Sequence, residues 1–194
     1  MRKKYAVIYV PGLGDHRSQG QRLAVKLWKL YGVDPEVVTM RWRDREAYNI
    51  KLARLLDRVE TLTETGYLVS LVGTSAGASA VVNAFAARPE LIHRVVCICG
   101  KLKNPQTVHP ATYARNPGFQ ESMERLTRSL TQLSTEQRNR VLSIHPVADE
   151  SVPPHDTEMP DSVSRRIPTI GHAPSIAYAI TLYAHVLLRF IKQD

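Results

Sequence analysis

Residues 67–79 read YLVSLVGTSAGAS. Tyr67 to Val72 is a run of strand formers. It passes through Gly73-Thr74-Ser75-Ala76-Gly77 into Ala76 to Ala87, a run of helix formers. A serine flanked by small residues therefore falls where a strand becomes a helix. At such a corner strand and helix approach closely, which leaves no room for side chains at positions 73 and 77. The serine hydroxyl is then held exposed at the sheet edge, where a nucleophile is useful. A Gly-x-Ser-x-Gly pattern alone also suits an ordinary tight turn. A catalytic reading requires amide donors upstream, and an acid and then a histidine downstream.

The rest of the chain repeats the alternation. Tyr5–Val10, Glu36–Met40, Arg94–Cys99, Val141–Pro146 and a short run near Ser164–Ile167 read as strands. Gln19–Tyr31 reads as a helix with Leu23, Leu27 and Leu30 on one side. Arg45–Thr63 reads as a longer one, with Tyr48, Leu52, Leu55, Val59 and Leu62 at helical spacing. A last helix opens at Pro174 and carries Ile176, Ile180, Tyr183, Leu187 and Phe190. Continuous apolar strands between amphipathic helices predict an α/β protein with a mostly parallel sheet of about six strands, covered on both faces.

Residues 101–140 interrupt the pattern. They hold three prolines, a charge of +4 and one clear helix, FQESMERLTRSL, with Phe119, Met123, Leu126 and Leu130 as its apolar stripe. Core packing accounts for the stripe. The position of the segment suits a small cap-like insertion in what otherwise reads as a single domain over residues 1–194.

Bulk properties narrow the function. The chain has 194 residues, 43% hydrophobic and 23% charged, an ordinary composition for one domain with a sizeable core. No apolar run has the length of a membrane span. Only Cys97 and Cys99 occur, on one face of one strand, where pairing is geometrically poor. Buried thiols in a reducing cytoplasm are expected. The net charge of +8 raises nucleic acid as a partner. However, the cations are spread among acids and apolar residues, as in RWRDREAYNIKLARLLDR at 41–58, which fits a solvated helix face and argues against a phosphate-binding stripe. No HExxH and no Cys/His cluster implies a metal, and no cofactor motif appears.

Three stretches meet the requirements of the serine corner. VPGLGDHR, Val10 to Arg17, follows the first strand. Its glycines let the backbone turn an amide toward a ligand, with Leu13 the candidate donor beside Ala76, the residue after the serine. HPVADESVPP, His145 to Pro154, places Asp149 just past a strand end; Glu150 is a nearby rival, and Asp156 and Asp161 lie further along. TIGHAPS places His172 before the final helix, where a carboxylate partner would offset the unfavourable helix dipole. His16 is the rival base. Gly12, Gly14, His16 and Thr74 flank these groups as candidate substrate contacts.

The order Ser75, Asp149, His172 is nucleophile, acid, base. On these motifs the chain resembles the α/β-hydrolase superfamily, in its small, nearly capless serine-hydrolase branch. VPGLGDH is similar to the oxyanion motif, GTSAG to the elbow, PVADESVP to the acid loop and GH to the histidine loop. Pro11 stands where many members have histidine. The resemblance runs from the family's third strand to its last helix, and the two leading antiparallel strands are missing. It implies a Ser-His-Asp acyl-transfer site acting on a small-molecule ester or thioester, with Leu13 and Ala76 as the oxyanion hole. Ester, thioester, amide and peptide bonds all remain open to such a triad, and a non-catalytic binding protein on the same fold is the alternative. A shallow pocket suited to short or modest acyl groups is expected, because so short a chain leaves no room for a large lid. The resemblance does not set the oligomeric state.

Overall fold

In a computed structural model that describes residues 3–193, six strands form one all-parallel sheet in the order β2-β1-β3-β4-β5-β6. The strands are β1 (Lys4–Val10), β2 (Asp34–Val37), β3 (Tyr67–Thr74), β4 (Ile92–Ile98), β5 (Val141–His145) and β6 (Val163–Arg166). The helices are α1 (Gln19–Lys26), α2 (Tyr48–Glu64), α3 (Ala76–Ala87), α4 (Pro110–Arg115), α5 (Pro117–Gln132), α6 (Thr135–Arg138), α7 (His172–Ile180) and α8 (Ala184–Ile191). The expected α/β architecture with helices on both faces is what the chain adopts.

Strand side chains alternate between two apolar layers. Ile8, Val10, Leu71 and Val95 face α2, α3 and α5, with Leu52, Leu55, Phe85, Met123 and Leu126 filling that side. Val7, Tyr9, Val72 and Val96 face the other layer, filled by Trp28, Ile176, Ile180, Leu187 and Leu188. The stripe on α5 therefore belongs to the main core.

Several local readings differ from the structure. The second strand ends at Val37 rather than Met40, because the chain then bends to bury Met40 and Trp42. The second helix begins at Tyr48 rather than Arg45. Residues 41–44 form a turn, closed by the Asp44 N–H on the Arg41 carbonyl (3.1 Å), in which Asp44 pairs with the buried Lys51, and the free amide of Tyr48 donates to Glu121 Oε2 at 2.7 Å. The final helix begins at His172 rather than Pro174, so the histidine is its first residue, and it is two helices meeting at 60°. The Ile180 carbonyl at the break accepts the indole N–H of Trp28 (2.9 Å), and Thr181 Oγ1 bonds back to the Ala177 carbonyl (2.6 Å), both of which disrupt a helical ladder. Finally, the Gln19–Tyr31 helix becomes 3-10 from Leu27, and its leucine stripe is not its core face. Val25 and Trp28 are buried, while Leu23, Leu27 and Leu30 face outward.

Among the described residues no single helix is long and apolar enough to cross a membrane. Both cysteines are free and buried.

Candidate active site

The carboxyl ends of β1, β3, β4 and β5 converge on one edge, where an open parallel sheet binds ligands. Ser75 lies between β3 and α3 with φ 53° and ψ −121°, a strained conformation for a side-chain-bearing residue. Close packing enforces the strain. A Cβ on Gly77 would lie 2.1 Å from the Val10 carbonyl oxygen, and one on Gly73 would lie 2.4 Å from the Gly77 carbonyl oxygen. Both flanking glycines are required for the reason the sequence suggests. The Ser75 amide donates to the Ile98 carbonyl (2.9 Å), which ties the corner to β4.

The loop after β1 closes over the serine. Gly12 approaches so nearly that a Cβ there would lie 2.8 Å from Ser75 Cβ. Two buried anchors hold this loop: Trp42 Nε1 donates to the Pro11 carbonyl (3.2 Å), and Asp15 Oδ2 accepts the Arg41 amide (2.6 Å). Burial pushes the Asp15 carboxyl above its usual range, against the lowering effect of backbone N–H donors that include Arg41. Leu13 and Ala76 both line the cavity. Ala76 is the first residue of α3, so its N–H lies outside the intrahelical ladder and is available to an anion.

The acid and histidine loops are laced together in parallel. Val147 N–H donates to Thr169 O (3.0 Å) and Gly171 N–H to Ala148 O (2.9 Å). This register brings Asp149 Oδ2 to 2.7 Å from His172 Nδ1, with the Asp149 side chain fully buried. The other oxygen, Oδ1, accepts the Ser151 and Val152 amides, each at 2.8 Å. Glu150 accepts the backbone N–H of His172 at 3.0 and 3.2 Å. Asp156, the third carboxylate considered, is buried elsewhere in an ion pair with Lys101, and Asp161 pairs with Arg138 (3.5 Å). Among these carboxylates Asp149 is the one at the imidazole.

Ser75, His172, Gly12, Gly14 and Thr74 all face a half-open cavity of about 960 Å³. Thr74 hydrogen-bonds Tyr9 Oη (3.1 Å), which in turn donates to Gln21 Oε1 (3.1 Å) in the wall. His16 does not reach this space. It is exposed on the 3-10 turn Asp15–Arg17, whose inward position Asp15 takes, so neither the substrate-contact nor the rival-base reading of His16 holds. The volume also overturns the expectation of a small, shallow pocket. It lies at the upper end of about 300–1,000 Å³ for small-molecule sites. The extra space lies between α1, α7 and the 107–119 segment, which contributes Val108, Thr112 and Phe119.

Sequence reading missed two neighbours. Lys101 lines the cavity and bonds Thr107 Oγ1 (2.7 Å) as well as Asp156. Its position three residues past Ile98, the end of β4, was the available signal. Cys99, with φ 47°, places its thiol, the Asp149 carboxylate and the His172 ring within 4.8 Å of one another. Burial, with help from the Asp149 and Glu150 carboxylates, pushes that thiol up to about 12. A thiol held protonated is a poor metal ligand, and the other two groups are committed to each other.

No protein-family model matches the chain, and no curated protein does. Solved structures do. A metagenome-derived lipolytic enzyme superposes with a TM-score of 0.72 at 14% identity, covering 99% of this chain and 95% of that one. Est1E from Butyrivibrio proteoclasticus gives 0.67 at 16%, covering 100% and 90%. The monoacylglycerol lipase of Paleococcus ferrophilus gives 0.64 at 15%, covering 99% and 97%. With full-length superposition, an all-parallel sheet in this order and a serine at the strained strand-to-helix corner, the chain has the α/β-hydrolase fold.

Proposed function

We propose that the chain is a serine hydrolase that cleaves carboxylic esters through an acyl-enzyme on Ser75. The observation that carries this reading is the 2.7 Å contact of Asp149 with His172 Nδ1, on the cavity that also holds Ser75. The similarity in fold to lipolytic enzymes and a monoacylglycerol lipase supports esters over other acyl compounds.

The steps follow from the parts. His172 takes the Ser75 proton as Oγ attacks the ester carbonyl, since a serine hydroxyl is a weak nucleophile at neutral pH. Asp149 fixes the imidazole tautomer and stabilises the imidazolium. Its Oδ1 is already saturated by two amides, so the carboxylate cannot swing away from the ring. The amides of Leu13 and Ala76 receive the developing oxyanion, each worth about 3 kcal/mol. His172 then protonates the leaving alkoxide, and water, activated by the same base, releases the acid and restores Ser75. The run before α5 acts as a partial roof within a single domain.

The test is active-site labelling with a fluorophosphonate, mapped by mass spectrometry, beside turnover of p-nitrophenyl acetate. The label is expected on Ser75, and Ser75→Ala should lose both label and turnover while keeping its fold. Wild-type turnover in Ser75→Ala would refute the assignment.

A further inference from the structure

The outward stripe of α1 and the 3-10 turn after it is unusual for a surface. Leu23, Leu27, Leu30 and Tyr31 are 66%, 56%, 83% and 43% exposed, four large apolar side chains within nine residues. Scattered single leucines on a surface need no explanation; a contiguous ridge does. Leu182, 73% exposed, lies two residues beyond the Ile180 carbonyl that holds Trp28.

The helix sorts its residues into four stripes. Val25 and Trp28 face the core. Gly20, Gln21 and Ala24 face the cavity. The leucines come next, and Arg22, Lys26 and Lys29, all exposed, lie beyond them. None of these three cations pairs with a carboxylate among the described residues. Between Asp15 and Asp34 the chain has no acidic residue at all. A further cation, Lys192, is held at the end of the ridge by its bond to the Tyr31 carbonyl (2.9 Å).

We propose that this ridge is a docking surface for an anionic lipid bilayer. Exposed leucines flanked by unpaired lysine and arginine are the chemistry of an interfacial helix. The apolar stripe enters the acyl boundary while the cations meet anionic headgroups. Charge complementarity selects this occupant over a second copy of the chain. An antiparallel twofold contact across the ridge would set the cations of one copy against those of the other, and a parallel one would offer them no carboxylate from the same stretch, which has no acid. The neighbouring stripe explains the placement: an apolar ester leaving the bilayer at Leu23 and Leu27 would meet Gly20 and Ala24 at the cavity wall next. That last link rests on the ester-hydrolase reading; the docking itself does not.

The experiment is co-sedimentation of the full chain with vesicles of phosphatidylcholine alone, or with a third of the lipid as phosphatidylglycerol. The protein should partition onto the anionic vesicles about tenfold more strongly, and lose that preference at high salt. Leu23→Ser/Leu27→Ser/Leu30→Ser should lower binding to anionic vesicles by about tenfold or more. Arg22→Gln/Lys26→Gln/Lys29→Gln should lower it by about fivefold per cation, without affecting neutral vesicles. All positions are exposed, and a thermal melt confirms that each variant folds. No binding by the wild type, or undiminished binding by the serine variant, overturns the proposal. So does a dimer by light scattering that the serine variant converts to monomer, which would assign the ridge to a second copy. Ester turnover is read separately on water-soluble p-nitrophenyl acetate: its absence refutes the hydrolase reading and leaves the vesicle result to decide the docking.

Discussion

Two consecutive carboxylates hold one histidine by different handles: Asp149 takes the ring of His172, and Glu150 takes its backbone N–H at 3.0 Å. In the proposed hydrolase the first contact orients the ring that would move protons. The second satisfies a free amide at the start of α7 and places negative charge against the helix dipole. Asp149→Asn should therefore lower kcat by roughly 10⁴-fold with the fold intact, as expected for a lost tautomer partner. Glu150→Gln keeps an acceptor and loses only the charge. It should cost about 0.3–1 kcal/mol of stability, and turnover should change by about fivefold at most. Steady-state kinetics and melting of the two variants separate the roles; a reversed ranking would make Glu150 the acid.

The glycines around Ser75 should divide between activity and folding. In Gly77→Ala the new Cβ meets backbone, the Val10 carbonyl oxygen at 2.1 Å, so β1 and α3 must part. Overpacking of this kind costs about 1–3 kcal/mol or more, and a lower melting temperature with poor expression is expected. In Gly12→Ala the nearest atom is Ser75 Cβ at 2.8 Å, followed by the Thr74 carbonyl oxygen at 3.2 Å and Ser75 Oγ at 3.3 Å, none of them as close as the backbone met at Gly77. The loop can give more than a sheet can, so stability should change less while kcat falls sharply, because the nucleophile is displaced. Equal loss of stability in both variants would remove this distinction.

The buried pair of Lys101 and Asp156 should behave as a unit. Burial alone would raise the Asp156 carboxyl, but the hydrogen bonds from Lys101 and Asn104 outweigh it and hold it below the usual carboxylate range. A lowered folded-state pKa means the unfolded chain takes up the proton first. The pair's contribution is then complete above about pH 4 and is lost as the pH falls through the lowered value. Lys101→Met leaves a buried, partly partnered charge and should cost about 3–5 kcal/mol, whereas Lys101→Met/Asp156→Leu should recover most of that loss. Denaturant melts from neutral to acid pH measure both effects, and the double variant should show a flatter acid limb. A double variant no more stable than the single one would contradict the account.

These contrasts mark what the residues made legible. Local signals with hard steric content carried through: the corner at Ser75, the two glycines beside it and the alternation of about six strands with helices are visible as patterns of size and periodicity. Asp149 could be singled out by its distance past a strand end. What could not be read were properties set by partners far along the chain. Leu23, Leu27 and Leu30 have the spacing of a core stripe, but the larger Trp28, whose N–H finds the Ile180 carbonyl, takes the inward face. That same bond meets the last helix at its break, so the two misread elements touch at one point. The size of the cavity was hidden too, since it is the gap left between three elements that are far apart in sequence.

That gap sets the last expectation. A cavity of about 960 Å³ beside Ser75, walled by Ile176, Ile180, Val108 and Phe119, can take up an acyl chain well beyond acetate. Each methylene moved from water to such a wall contributes about 0.8 kcal/mol, or about fourfold in kcat/KM. Efficiency on p-nitrophenyl esters should therefore keep rising through butanoate and into medium chains before it levels. Val108→Trp places bulk in the roof without touching Ser75, Asp149 or His172. It should shift the maximum to shorter acyl groups and leave acetate turnover nearly unchanged. A wild-type profile that is flat from acetate onward would mean the acyl group lies outside this cavity. A Val108→Trp profile that falls equally for every chain length would mean that the roof supports the catalytic groups rather than the acyl chain.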